Sequence, residues 1–266
     1  MRWIPIVLLL AGSPLFTAYS GTFTDDFSDG DLDGWDVFIH PPLPREEAAH
    51  VVKLEDGDLV IDTIAKRVEL PPGFDFIEFV RMELRVGDMD AWNSYTLTCQ
   101  VKFDSAPREG PGMFVVGVRR SEGHFGVTAQ QILLILPTQQ HIQVETVEPH
   151  AERDPILGLQ GVIHHEVLDP RNFRRPIKLK QWLPIKIVAE ESRFEFHLDE
   201  NLVAEYEDEN AGPGTVMFQA EFMMVVRLDD FMITGPGIPN NDPPQSVRHE
   251  ARLATTWGEI KNLPNK

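Results

Sequence analysis

Three aspartates stand at alternate positions near the start of the chain, Asp29, Asp31 and Asp33, followed at once by Gly34. Carboxylates in that rhythm are hard oxygen donors, the kind of ligand calcium collects. An EF-hand loop would add a bidentate glutamate at its twelfth position and a helix on either side. The twelfth position here is His40, and no helical periodicity flanks the segment, so an EF-hand proper is not expected. Turn propensity of Asp and Gly alone would also explain the string, with Leu32 and Trp35 tucked back onto a core. A second group is aromatic: Trp92 lies between Asp90 and Asn93, with Tyr95 just beyond, and His124 and Phe125 sit between Gly123 and Gly126. Rings in polar loops can lie flat on pyranose faces while their neighbours bond the hydroxyls. The competing account has Trp92 capping a core from a strand end, the usual fate of a large aromatic. A third group is His141, His150, His164, His165 and Glu166. Adjacent strand residues point to opposite faces, so His164 and His165 would not readily share a metal, and no zinc-ligand spacing is present. No G-x-S-x-G elbow, glycine-rich phosphate loop or Cys-His pair occurs, which removes the commonest nucleophile and nucleotide sites.

The chain that must position these groups has 266 residues and a formal charge of −18, from 24 Lys and Arg against 42 Asp and Glu. Nucleic acid is excluded as a partner by that balance, because phosphate contacts need clustered cations; cation binding is compatible with it. Met1-Arg2, the apolar run Ile4 to Ala11 and the small residues Ala18 and Ser20 read as a leader cleaved after Ser20. The apolar run is short of the ~20 residues that span a bilayer, so no transmembrane segment is expected after cleavage. Secretion, or residence in a periplasm or cell envelope, follows from that reading. Cys99 is the only cysteine, so no disulfide can form within the chain and stability must come from a large core, a metal, or both.

Short runs of alternating polarity, separated by Pro, Gly, Asp and Asn, dominate the remainder. Ser94 to Phe103 alternates with Tyr95, Leu97, Cys99, Val101 and Phe103 on one face; Met113 to Val118 and Gln131 to Leu136 are more fully apolar. Leu59 to Ile61 follows a turn at Glu55-Asp56-Gly57-Asp58, and from Trp182 onward four or five strands come in succession, with Asp199-Glu200-Asn201 as a hairpin turn. Residues 137–180 read as a long excursion rich in His and cations, holding one or two strands at His141–Val147 and Gly161–Val167. Gly235 to Pro244 is a linker by composition, and Ser246 to Lys261 is either a short helix or a disordered tail. The expected fold is all-β, a two-sheet antiparallel sandwich spanning 21–237, with 238–266 as linker and tail.

Trp182-x-Pro-Ile-Lys-Ile-Val, the turn at Leu198-Asp199-Glu200-Asn201, the closing Leu228-Asp229-Asp230-Phe231-x-Ile-x-Gly-Pro-Gly-Ile-Pro and the opening Asp25-Asp26-Phe27-Ser28-Asp29-Gly30 with Trp35 resemble the concanavalin A-like lectin/glucanase superfamily, in its laminin-G-like branch. The resemblance covers roughly 23–38 and 182–238. It implies a jelly roll whose first and last strands lie side by side, a fold that often carries a structural calcium and often binds sugars. Such pairing would bring Asp25 or Asp26 toward Asp229 or Asp230, where converging carboxylates call for a cation or a set of donors. Calcium is accordingly expected among Asp25, Asp26, Asp29, Asp31 and Asp230. Glucanases of the superfamily carry their carboxylates as E-x-D-x-E on one strand, all on the same face. The nearest string here, Glu205 to Glu209, has Glu in place of Asp and runs into a turn, so a solvated surface is expected; Glu195, His197 and Asp199 also read as surface.

Three functions stay open at this point. One is a non-catalytic protein that binds polysaccharide or another cell-surface glycan. Another is a glycan hydrolase using carboxylates such as Glu145, Glu148 or Glu166, which retention would set ~5–5.5 Å apart. The last is a structural envelope protein with no polar-aromatic site.

Overall fold

The computed structural model describes residues 20–40, 45–64, 81–88, 90–107, 112–120, 130–147, 162–168 and 176–240. Residues 1–19, most of the expected leader, together with His124, Phe125, Glu148, His150 and residues from 241 on, lie outside them.

Alternation in the sequence becomes two antiparallel sheets. The first contains β1 (Ser20–Asp25), β3 (Val52–Glu55), β4 (Asp58–Asp62), β6 (Tyr95–Ser105), β11 (Trp182–Glu190), β12 (Arg193–Leu198), β13 (Asn201–Glu207) and β15 (Val225–Pro236). The second contains β2 (Trp35–His40), β5 (Arg81–Val86), β7 (Met113–Arg120), β8 (Gln130–Leu136), β9 (His141–Val147), β10 (Val162–Leu168) and β14 (Thr215–Glu221). Across the first sheet the order is β13-β12-β11-β6-β15-β4-β3, with β1 on the far half of β15; across the second it is β10-β9-β8-β7-β14-β5-β2. Tyr95, Leu97, Cys99, Val101 and Phe103 are all buried on the inner face of β6, as their spacing requires. They meet the second sheet at contacts such as Phe103 on Phe114, an edge-to-face pair 5.8 Å apart.

Chain ends close the sandwich. β1 pairs with β15 from Ser20 opposite Pro236 to Asp25 opposite Phe231. Phe23, Trp35, Phe218 and Phe231 then knit both sheets together, with Trp35 4.9 Å from Phe231 and 6.0 Å from Phe218. Two hairpins turn in two residues with both central φ angles positive, at Asp56-Gly57 and at Asp199-Glu200. That backbone matches the right-handed twist of the strands it joins.

Two departures from the sequence reading stand out. A helix, α1 (Arg45–Val51), precedes β3; at seven residues it is under two turns, too short to show periodicity, and its last residue, Val51, is buried. The segment 137–180 also contributes more to the sandwich than an excursion would: β9 and β10 extend the second sheet beyond β8. Gln140 fastens the two ends of that segment, its side-chain amide donating to the carbonyl of Ile177 and accepting the Ile177 N–H, each at 2.7 Å.

Candidate functional site

Outward-facing residues of the first sheet form a groove of about 1190 Å³ against the β1–β2 loop. Its floor comes from alternate positions of neighbouring strands: Thr98 and Gln100 on β6, Pro184 and Lys186 on β11, and His197 on β12. The register makes this a patch, since Gln100 lies opposite Pro184, and Thr98 opposite Lys186, which in turn faces His197. Its wall is acidic, with Asp25, Asp26, Asp29, Asp31 and Asp33 from the loop and Asp230 from β15. The five aspartates expected around a cation therefore do border one space.

Their side chains are turned to other work. Asp25 Oδ1 accepts the Phe27 N–H at 2.8 Å and Oδ2 accepts the Trp35 indole N–H at 2.7 Å. One carboxylate thereby holds Phe27 in a left-handed conformation, φ 54°, and fixes the ring at the centre of the core. Asp26 accepts the backbone N–H and hydroxyl of Ser28, while Asp29 and Asp31 each accept the N–H two residues on. These are Asx turns, in which the side chain substitutes for a backbone turn. Asp230 sits at φ 50° in a bulge of β15, its N–H bonded to Asp229 Oδ1 at 2.7 Å. Among the described residues no three His, Cys, Asp or Glu side chains are grouped so as to hold a metal ion. Both oxygens of Asp25 and one oxygen each of Asp26, Asp29 and Asp31 accept local hydrogen bonds in this arrangement, so a calcium of the kind the resemblance implies would compete with those donors.

Electrostatics follow the same division. Burial pushes the Asp25 carboxyl up to about 6 despite its two N–H donors, with Asp29 and Asp26 adding repulsion. Asp229 is also raised, chiefly by burial. Asp26, at the surface, is lowered by its bond from the Ser28 hydroxyl.

One polar atom on the floor has no partner: Gln100 Oε1 is buried and accepts no hydrogen bond. Two residues beyond Pro184, on the same face of β11, Trp182 is 40% exposed. The ammonium of Lys102 stands 4.2 Å from its ring centroid.

The aromatic group expected from sequence is placed differently. Trp92 and Tyr95 are buried at 3% and 2% exposure and pack on each other at 6.3 Å. They cap the core and offer no ring face; Trp92 lies so close to Gly87 that a Cβ there would meet its ring at 2.4 Å. Asp90 and Asn93 are exposed beside them but border a different part of the molecule from the groove. Trp182, Gln100, Lys186 and His197 are the residues that sequence reasoning did not select. Alternation marks them as outward-facing, but nothing in the sequence says that their strands are neighbours.

The carboxylates considered for catalysis are dispersed. Glu205 is exposed on the edge strand β13 and ion-paired to Arg193, and Glu209 lies past the strand end. Glu195 and His197 contact each other at 3.0 Å beside the groove. Glu145, buried on β9, accepts from Gln143 and lies in register with Ile132 and His164 on its two neighbours, so neither adjacent position adds a carboxylate. Glu166 lies on β10, past a register shift at His164.

No protein-family model and no curated protein matches the chain. Solved structures do match in fold. The potassium-bound carbohydrate recognition domain of Emp46p superposes with a TM-score of 0.57 at 9% identity, over 82% of this chain and 97% of that one. The catalytic domain of an endo-1,3-β-glucanase (laminarinase) from Thermotoga petrophila RKU-1 gives 0.56 at 12% identity, over 81% and 97%. A structure described among endo-acting O-glycanases that initiate mucin breakdown gives 0.54 at 11%, over 80% and 98%. Together with the two-sheet topology, these establish a concanavalin A-like jelly roll. Among the described residues no helix is long and apolar enough to cross a membrane.

Proposed function

We propose that this chain is a non-catalytic glycan-binding protein that seats a hydroxyl-rich, uncharged polysaccharide in the groove on the outer face of its first sheet. The observation that carries the reading is Gln100 Oε1, a buried acceptor without a donor at the floor of an open groove. A buried acceptor left unmatched costs free energy that a ligand hydroxyl would recover. Trp182 extends the floor with an exposed ring on which a pyranose can stack. The acidic wall accepts hydrogen bonds from hydroxyls and repels uronates and sulfated sugars. The neighbours in fold include a carbohydrate recognition domain and glucanases, and the leader-like first twenty residues support export to where such polymers occur.

The test is a glycan array followed by titration calorimetry on the best neutral polymer. Trp182→Ala is expected to weaken binding at least tenfold, or about 1.4 kcal/mol. Gln100→Leu should weaken it similarly while leaving stability unchanged or higher, because the orphan acceptor is gone. EDTA is expected to leave binding intact; loss on chelation would restore calcium to the site. Release of reducing ends from the bound polymer would show a hydrolase instead, and full retention of binding in both variants would move the site elsewhere.

A further inference from the structure

Among the described residues, Arg119 is a buried charge with no ion pair. It is the penultimate residue of β7, at a register shift with φ 53°, and is 2% exposed. The guanidinium carbon lies 4.8 Å from the centroid of the Phe194 ring. Its backbone N–H donates to the Tyr95 hydroxyl oxygen at 2.9 Å, and Nη1 reaches the Ala211 carbonyl at 3.5 Å. Nε and Nη2 are buried and donate to nothing. Those two N–H groups lie side by side on one edge of the plane, the fork that meets a carboxylate with two parallel bonds.

Among the described residues no acceptor is bonded to the fork. Asp208 is the carboxylate whose charge Arg119 feels, but its Oδ2 accepts from Gln131 Nε2 at 2.6 Å and its Oδ1 from the Asn210 N–H at 2.9 Å. Gln131 is held in turn, its Oε1 accepting from both Thr146 and Tyr206. Arginine cannot escape by losing its proton, as a buried lysine can. A water molecule would answer one donor and leave the charge; an anion with two oxygens answers both and neutralises it.

We infer that the Nε–Nη2 edge of Arg119 is a binding site for an oxyanion of the carboxylate type. The Ala211 carbonyl that meets Nη1 belongs to the segment 210–213, whose Asn210, Gly212 and Pro213 are exposed, so an anion would approach from that side. This site is separate from the groove, and its fate does not depend on the glycan reading.

The oxyanion has two possible sources, a free small anion or a carboxylate borne by a larger ligand. The experiment is a thermal-unfolding titration of the full chain with sodium acetate, sodium sulfate and a uronate oligosaccharide, each at ionic strength held constant with sodium fluoride. A ligand that binds only the folded state raises the midpoint along a saturating curve. Such a rise is expected in the native chain and is expected to vanish in Arg119→Met and in Arg119→Lys, which lacks the fork. Arg119→Lys carries the comparison if the methionine variant fails to fold. The Arg119 Nε–H resonance should shift over the same concentration range. Saturation by acetate identifies a free anion as the source, and saturation by the oligosaccharide alone identifies a larger ligand. Curves that never saturate, or that match between native and variant chains, would overturn the site.

Discussion

At the scale of single residues, Asp25 shows how one carboxylate can organise the packing around it. Its type and position suggested a cation ligand; its two oxygens instead clamp the Phe27 N–H and the Trp35 indole. Burial raises its carboxyl from 3.8 to about 6 in the folded chain. A carboxyl raised on folding contributes stability that is complete below its unfolded value and is lost as pH climbs through the folded one. The Trp35 indole N–H resonance is therefore expected to titrate with a midpoint near 6. Asp25→Asn cannot ionise, and its amide presents only one acceptor to two donors. It should be less stable than the native chain at pH 4, with the gap narrowing toward pH 7, as read from urea midpoints at each pH. The role of Asp25 was not legible in the sequence because Trp35 is ten residues away and becomes its partner only once β2 has crossed to the other sheet.

At the scale of elements, the first sheet is tied across its outer face by Arg227 on β15. Its guanidinium reaches Asp104 on β6 at 2.6 Å, Asp58 on β4 at 3.1 Å and Glu55 on β3 at 3.3 Å. Those bonds hold it above the usual arginine range, the Asp104 bond first. Arg227→Met leaves partly buried carboxylates facing one another, and a loss of roughly 3 kcal/mol is expected in denaturant unfolding. The β12–β13 turn offers the opposite sign. Glu200 has φ 64°, which glycine adopts without a Cβ penalty, so Glu200→Gly should stabilise by up to ~1 kcal/mol in the same measurement. Strand positions and both hairpin turns were legible because alternation and turn chemistry are local properties. The seven-residue helix α1 was not, and neither was the membership of β9 and β10 in the second sheet, which depends on pairing with β8.

At the scale of the molecule, stability rests on the meeting of chain ends. Gly21 on β1 packs so tightly on the stretch after β15 that a Cβ there would lie 1.8 Å from the Ile238 carbonyl oxygen. Gly21→Ala is expected to cost at least about 1–3 kcal/mol through forced displacement. Phe231→Ala, which opens a cavity between Phe23, Trp35 and Phe218, should cost roughly 3–5 kcal/mol. Both are read from thermal or denaturant midpoints. A sandwich closed by strands from opposite ends of the chain is dominated by non-local pairings, so refolding followed by tryptophan fluorescence should take milliseconds to seconds.

The sequence by itself determined that this chain is a β-sandwich, which residues of each strand face inward, where the tight hairpins fall, and that its charge does not suit nucleic acid. Each of these depends on neighbours within a few positions, where backbone geometry and hydrophobic burial act directly. Only the tertiary structure decided that Trp92 and Tyr95 belong to the core, that the loop aspartates bond their own backbone, and that Gln100, Lys186 and His197 share one face of a groove. Those facts depend on which distant strands lie side by side, and that is settled by the packing of the whole core, not by any stretch of it.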